Sequence, residues 1–261
     1  MAAVPASAPA GARRGDPDGL SEGGAWQAGD AEGGWWNVER TKLIRQRLSP
    51  LLGDAGLVVD IGCGRGEAVG VLVEAGAEFV VGCDYEVYPQ WVLRPGRSAH
   101  VVCDAARLPL RDGTAGLATA FDVVEHFAEA ADPLGSARRV IRDDGFVALT
   151  VPALPKLWSP FDDRVGHHRR YTRDSLDEAT SAAGLDAGRS TTYFFSWLVL
   201  PAWLMRKRDR VDADASPGIV GRAVSGAVAV VCAVERAVMR RWRLPIGTSL
   251  WTLCRPRRSR P

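Results

Sequence analysis

The residues whose types and spacing could do chemistry begin with Asp60, which lies inside Val58-Val59-Asp60-Ile61-Gly62-Cys63-Gly64-Arg65-Gly66. An apolar run ending in Gly-x-Gly-x-Gly reads as a buried strand that enters a glycine turn and then a helix. An α/β sheet presents its carboxyl edge to nucleotide-like ligands in this way. The glycines let backbone pass where a Cβ would collide, and the following helix offers unpaired N–H groups and a positive dipole end. Two details argue against a dinucleotide. The third glycine of Gly-x-Gly-x-x-Gly is replaced by Glu67, and Asp60 stands two residues before the first glycine. Without Gly-Lys-Ser/Thr a phosphate-cradling loop is excluded. An acid in the loop suits a ligand that carries positive charge and no phosphate. Asp84 follows 24 residues after Asp60, an offset from which an acid can accept from both ribose hydroxyls.

The elements that must position these residues follow from periodicity. Residues 1–34 are small, polar and rich in Gly and Pro, and are expected to be disordered. Trp35–Leu52 has helical spacing and should end at Pro50 and Gly53. Strands are expected at Leu57–Ile61, Glu78–Cys83, Ala99–Cys103, Leu117–Phe121, Phe146–Val151 and Ala187–Phe195. Helices at Glu67–Ala75, near Tyr88–Leu93, around Pro133–Ile141 and at Arg173–Ala183 alternate with them. Such alternation implies a doubly wound, mostly parallel α/β sheet with its ligands at the carboxyl edge. Two apolar stretches follow, Tyr193–Met205 and Gly218–Val234, before a last strand at Ser249–Cys254. Each is shorter than a free bilayer span, so residues 200–245 are read as a helical cap over the site or as a monotopic hairpin on a membrane surface.

Bulk properties narrow the classes. A chain of 261 residues with 46% hydrophobic and 25% charged residues suits one large domain, and a net charge of +2 does not by itself imply nucleic acid. From Val199 to Pro261 there are 13 Lys/Arg and 4 Asp/Glu, so this region carries +9 and the remainder −7. It either faces an anionic surface or is a solvated basic face, ending in a basic tail over 255–261. The five cysteines lack Cys-x-x-Cys spacing and read as buried free thiols in a reducing, cytoplasmic compartment. The amino-terminal segment lacks the apolar core of a secretory signal. The four histidines show no metal spacing, so no metal is expected.

Val58 to Gly66 matches apolar-apolar-Asp/Glu-x-Gly-x-Gly-x-Gly, and in this the chain resembles the class I S-adenosylmethionine-dependent methyltransferases. The resemblance implies a seven-stranded Rossmann-like sheet, with a helical insertion between strands six and seven. It implies S-adenosylmethionine as cofactor, held by Asp60, Gly62, Gly64 and Gly66. It also implies that Asp84 takes the ribose, and that Asp104 and Ala105 in Cys103-Asp104-Ala105 lie by the adenine. Leu108-Pro109-Leu110-Arg111-Asp112-Gly113 resembles the turn before strand four of the family. Phe121-Asp122-Val123-Val124-Glu125-His126 resembles the segment along the methionine part, which adds Asp122 to the cofactor set. Glu125 and His126 are equally readable as helix-capping residues. Trp35-Trp36-Asn37-Val38-Glu39-Arg40 is similar to a lid helix of one subset, and ordinary aromatic packing on the sheet explains it equally well.

In that same subset a segment like Trp158-Ser159-Pro160-Phe161-Asp162-Asp163-Arg164-Val165-Gly166-His167-His168-Arg169-Arg170-Tyr171 forms a wall of the active site. Histidine is the side chain best poised as a base near neutral pH, which makes His167 the candidate base and Asp163 its orienting partner. Trp158, Arg169, Arg170 and Tyr171 are candidates for holding the acceptor, the arginines by bidentate contact with an anionic group. The competing reading is structural, with Asp162 or Asp163 paired to Arg169 or Arg170. The expected reaction is methyl transfer to oxygen or nitrogen of a small-molecule or lipid-like acceptor, as in secondary-metabolite biosynthesis. A basic cap would allow peripheral contact with the inner membrane face. The alternatives are an RNA methyltransferase and a non-catalytic cofactor-binding scaffold. The first lacks the Asp/Asn-Pro-Pro-Tyr tetrapeptide, and the near-complete motif set weighs against the second.

Overall fold

The computed structural model describes residues 35–88, 91, 94–205 and 219–257. The expected disorder of 1–34, much of the short helix near Tyr88–Leu93 and the end of the basic tail lie outside these residues. Short runs apolar on both faces become central strands because helices cover them on each side. In chain order the elements are α1 (Trp35–Ala55), β1 (Leu57–Ile61), α2 (Glu67–Glu74), β2 (Phe79–Asp84), β3 (Ser98–Val102), β4 (Ala115–Phe121), α3 (Ala131–Val140) and β5 (Ile141–Pro152). Then come α4 (Pro160–Arg164), α5 (Arg173–Ala182), β6 (Leu185–Asp186), β7 (Thr192–Phe194), α6 (Val199–Met205), α7 (Ile219–Val238) and β8 (Ser249–Pro256). Short 3-10 turns link several of them.

The sheet runs β3-β2-β1-β4-β5-β8-β6, with β7 also on β8. β1 pairs in parallel with β2 and β4, and β8 is antiparallel to β5, β6 and β7. Strand order therefore reverses beside β1, and the crevice outside the carboxyl ends of β1 and β4 is the switch point where such sheets bind ligands. Leu134, Ala137, Val140 and Leu176 from α3 and α5 fill one face. Leu43, Leu48 and Leu52 of α1, Leu72 of α2, and Cys232 and Met239 in and after α7 fill the other.

Three expectations are corrected. Among the described residues eight strands form rather than seven, because the strand expected over Ala187–Phe195 shortens to β7 and a separate two-residue strand, β6, precedes it. β6 pairs with the end of β8 and β7 with its start. Between them the chain turns at Gly188 (φ +53°), whose N–H donates to Asp186 Oδ1 at 2.9 Å. The Ser190 hydroxyl replaces the missing ladder bonds, accepting from Leu253 N at 3.0 Å and donating to Leu253 O at 2.7 Å. Helix α1 does not stop at Pro50. Burial of Leu48, Leu52 and Ala55 against the sheet holds its last turn together despite the missing donor. Arg255 begins no tail, since it lies in β8 with its guanidinium over the Phe146 ring at 4.7 Å.

The insertion is tied to the helix layer. Glu235 accepts from Phe195 N at 2.8 Å and Ser196 N at 2.6 Å, Gln46 donates to Arg236 O at 3.1 Å, and Arg236 pairs with buried Glu39. The described half of α7 is thus docked on α1 as one more helix of that layer. No described helix is long and apolar enough to cross a membrane.

A close backbone approach joins α1 to β4. A Cβ on Gly116 would stand 2.2 Å from Ala55 O and 2.7 Å from Ala55 Cα. Neither neighbour is a side chain that can rotate away, so Gly116→Ala is expected to cost at least about 1–3 kcal/mol. Chemical denaturation should show a lower midpoint with the slope unchanged, whereas Gly53→Ala, which meets nothing within 4 Å, should leave the midpoint within error or raise it.

Candidate active site

The site is assembled where the first four parallel strands end. Past β1 the chain turns on three glycines with positive φ, and Gly62 N and Cys63 N both donate to Cys83 O at 2.7 and 3.0 Å. A Cβ at Gly62 would meet Val123 Cγ2 at 2.5 Å, so this residue also fixes how closely the β1 and β4 loops approach. Asp84, at the end of β2, accepts from Gly64 N at 2.7 Å and Glu86 N at 3.1 Å. Its carboxylate thereby clamps the glycine turn and keeps spare lone pairs on each oxygen. Trp91 Nε1 donates to Gly64 O at 2.7 Å, and its ring stacks on His100 at 4.5 Å.

Asp60 is only 2% exposed; its Oδ1 accepts from Thr119 Oγ1 at 2.6 Å, while Oδ2 has no partner. Burial pushes its carboxyl up to about 7, against the pull of Thr119 and Arg40. Asp104 stands just past β3 and accepts from Ala106 N at 2.8 Å, capping the turn that Ala105 begins. The same residue can therefore cap and still present its second oxygen. Asp122 follows β4 with φ +58° and pairs with Arg40 at 2.8 Å, and the Arg40 guanidinium lies 4.5 Å above the Trp36 ring. Arg40 was not among the expected site residues, although its place in the Trp-Trp-Asn-Val-Glu-Arg segment is the signal that could have found it.

The histidine loop is held by a different acid than expected. His167 Nδ1 lies 2.9 Å from Asp162 Oδ1, so Asp162 and not Asp163 orients it. Asp163 instead accepts from Trp158 Nε1 at 3.1 Å. Asp162 is fully buried and also takes Arg170 Nε at 2.8 Å, Ser159 N at 2.9 Å and Ser159 Oγ at 3.1 Å. Burial alone would raise its carboxyl, but the bonds from His167, Arg170 and Ser159 outweigh that and hold it at about 2. Ser159-Pro160-Phe161-Asp162 is a capping-box pattern, the sequence signal by which Asp162 was legible. An ionised carboxylate only accepts, so Nδ1 of His167 carries the hydrogen and Nε2 is the nitrogen turned towards Glu125.

The other loop residues divide by role. Arg170 is committed to Asp162 and to Ala153 O at 3.2 Å. Tyr171 is buried in the core with its hydroxyl against Val124 O at 3.5 Å. Both side chains are thus engaged with the protein's own groups, where contact with an acceptor was expected. Arg169 donates to Ala128 O and is exposed, as is His168. Trp158 is half-buried at the rim.

Facing His167 Nε2 is Glu125 Oε1 at 3.9 Å. Glu125 has no exposed surface, neither of its oxygens has a partner, and burial raises its carboxyl well above the usual range. The His126 ring sits edge-on to His167 at 4.8 Å; desolvation and the neighbouring His167 push it down to about 4, although one side of the residue is exposed. Linear spacing of the histidines carries no metal pattern, but the fold gathers one ligand atom each from Glu125, His126 and His167 within 4.8 Å of one another.

Residues 59–149 match the family described as a methyltransferase domain. Over 138 residues the chain is 26% identical to the tRNA (carboxymethyluridine(34)-5-O)-methyltransferase ALKBH8 of Mus musculus, covering 52% of this chain and 20% of that protein. Over 159 residues it is 27% identical to a malonyl-[acyl-carrier protein] O-methyltransferase of Marinomonas sp. (strain MWYL1), covering 56% of this chain and 59% of that one. The chain thus spans a fifth of the mouse protein and about three fifths of the bacterial one. A Haloferax volcanii methyltransferase solved with the Trm112 methyltransferase activator matches with a TM-score of 0.55 at 17% identity, over 92% of this chain and 98% of that chain. Similarity at that identity speaks to the fold.

The depressed carboxyl of Asp162 makes the loop acid-sensitive. A carboxyl whose folded value lies near 2 stabilises the fold fully above the ordinary aspartate value, and this is lost as pH falls from about 4 towards 2. Thermal unfolding followed across that range should show a steeper loss of stability for the natural chain than for Asp162→Asn. The variant should also be less stable at pH 7, because Arg170 keeps its buried charge without a counter-ion.

Proposed function

From a chain that carries a class I S-adenosylmethionine-dependent methyltransferase domain, we propose an enzyme that transfers a methyl group to oxygen or nitrogen of a small-molecule or lipid-like acceptor. The observation that carries the reading is the edge formed by Asp60, Asp84 and Asp104 around the glycine turn. It offers the free lone pairs of its carboxylates to an adenosine and a buried carboxyl to a sulfonium. In this assignment Asp84 takes the ribose, Asp104 and Ala105 the adenine, and Gly62, Gly64 and Gly66 the close backbone path. Asp122, with Arg40 on it, borders the methionine end.

The sulfonium supplies the leaving group, so the protein has mainly to align oxygen or nitrogen, methyl and sulfur and to exclude water. Both relatives named above are O-methyltransferases by name, which favours oxygen. A hydroxyl must also shed its proton, and His167, fixed by Asp162, is the acceptor-side group for that step. Its Nε2 either removes the proton directly or holds an electrophile that acidifies the hydroxyl. Trp158 and Arg169 stand at the rim where an acceptor arrives.

A lipid-like acceptor is favoured by the outer face of α7. Val230 (64% exposed), Val234 and Val238 follow one another at helical spacing, and Trp242 is 72% exposed beyond them. Arg240, Arg241 and Arg243 flank this stripe, a pattern suited to an anionic membrane surface on the cytoplasmic side. An RNA acceptor is the second reading, favoured by the tRNA in the mouse relative's name. Asp122-Val123-Val124-Glu125 stands after β4 in place of the tetrapeptide used on base amines, and a net charge of +2 gives RNA little electrostatic purchase.

Two experiments check these assignments. Calorimetric titration with S-adenosylmethionine should show Asp84→Ala weakened by about tenfold or more with unchanged circular dichroism. Asp60, near 7 in the free protein, must ionise beside the sulfonium, so affinity should rise with pH up to about 7 and then level off. Asp60→Asn should flatten that profile, and a flat profile in the natural chain would remove Asp60 from the sulfonium site. For the acceptor side, His167→Ala should slow methyl transfer by about a hundredfold to ten-thousandfold while cofactor affinity stays unchanged. Turnover that survives the substitution would take the loop out of the chemistry.

A further inference from the structure

We propose that Glu125, His126 and His167 form a binding site for one first-row divalent transition-metal ion, zinc being the type ion, on the acceptor side of the cofactor. The proposal rests on the methyltransferase reading and assigns Nε2 of His167 to the ion rather than to the acceptor's proton.

Two imidazole nitrogens and one carboxylate oxygen are the donor set that binds such ions with open positions for another ligand. The three donors come from two separate segments, the turn after β4 and the loop after α4, yet lie within 4.8 Å of one another. Coordination at about 2.0–2.2 Å would draw these donors closer together. An independent observation points the same way. Both oxygens of the fully buried Glu125 lack a hydrogen-bond partner, although a buried carboxyl ordinarily finds donors. A cation against Oε1 would satisfy it, and the oxygen already faces His167 Nε2 at 3.9 Å.

The surroundings are those of metal-ligating histidines. A ligating imidazole is usually held by a hydrogen bond from its other nitrogen to a carboxylate or backbone carbonyl. Asp162 does this for His167 Nδ1 at 2.9 Å. The exposed side of His126 leaves a path for the ion and for an acceptor oxygen to enter. This assigns the acceptor class as a molecule with an ionisable oxygen, such as a hydroxyl. The ion would acidify the O–H, whose proton leaves to water. The oxygen then forms its bond to the methyl carbon as the carbon–sulfur bond breaks, and the electron pair stays on sulfur in the neutral thioether.

The test uses the full chain, stripped with a chelator and titrated with Co2+ as a spectroscopic stand-in and with Zn2+ in competition. Expected are one equivalent of Co2+ with a visible ligand-field band, and displacement of that band by Zn2+. Both should be lost in Glu125→Gln and in His126→Ala; the latter residue is exposed, so its loss does not threaten folding. Asp162→Asn should weaken the ion about 10–100-fold without removing a ligand. His168→Ala should bind like the natural chain. Failure of the stripped natural chain to bind Co2+ more tightly than the Glu125→Gln/His126→Ala double variant overturns the proposal. S-adenosylmethionine titration of the same samples separates the two readings. Cofactor binding and chelator-insensitive turnover without an ion leave the methyltransferase standing and remove the metal. Failure of cofactor binding in both the stripped and the metal-loaded chain would instead remove the methyltransferase reading.

Discussion

An ionised carboxylate with no exposed surface calls for donors, and the loop after α4 is organised around that demand at Asp162. One oxygen takes His167 and Arg170 and the other takes Ser159. Through these bonds a short helix, a loop and the end of β5 are held to one another, because Arg170 also reaches Ala153 O. An ion pair of this kind adds little net stability compared with an apolar cluster of the same volume. What it supplies is geometry, since three groups cannot change position singly without leaving a buried charge unmatched.

The glycine turn is held by a different device. There the backbone is drawn together by Cys83 O, which takes two successive N–H groups of the glycine turn, and by Asp84, which takes a third. The two regions meet at the turn after β4, where Asp122 faces Arg40 and Glu125 faces His167. Helix α1 belongs to both regions. Its Arg40 reaches the site while Glu39, one residue earlier, receives Arg236 of the inserted helix. The outer layer and the reaction edge therefore share consecutive residues of one helix.

What could be read from the linear chain follows the range of each signal. The glycine turn, the acids at strand ends and the alternation of strands and helices are local patterns, and β1, β2, β4 and α5 stand within a residue or two of their expected bounds. Misreadings came where distant residues decide. Pro50 is a local stop that long-range packing of Leu52 and Ala55 overrides. The break between β6 and β7 is bridged by Ser190 bonding to Leu253 in β8, a partner no window on the sequence contains. Asp162 and Asp163 are adjacent and chemically identical, and only helical phase decides which one points inward to His167. The meeting of Glu125 and His126 with His167 is tertiary in the same sense, because each belongs to a segment whose local pattern says nothing of the other.

The position of β8 has a consequence for how the molecule comes into being. It is the last strand in order along the chain, yet it lies between β5 on one side and β6 and β7 on the other. During synthesis β5 must wait with an open hydrogen-bonding edge for about a hundred residues to emerge, and the two short strands have no ladder at all until then. Pairing across such separations is slow because loop closure precedes any gain from contact. An edge left waiting is also a template for the wrong partner. The nascent chain is thus most vulnerable to aggregation after β1 to β5 have emerged, and the emergence of β8 is the event that seals the sheet.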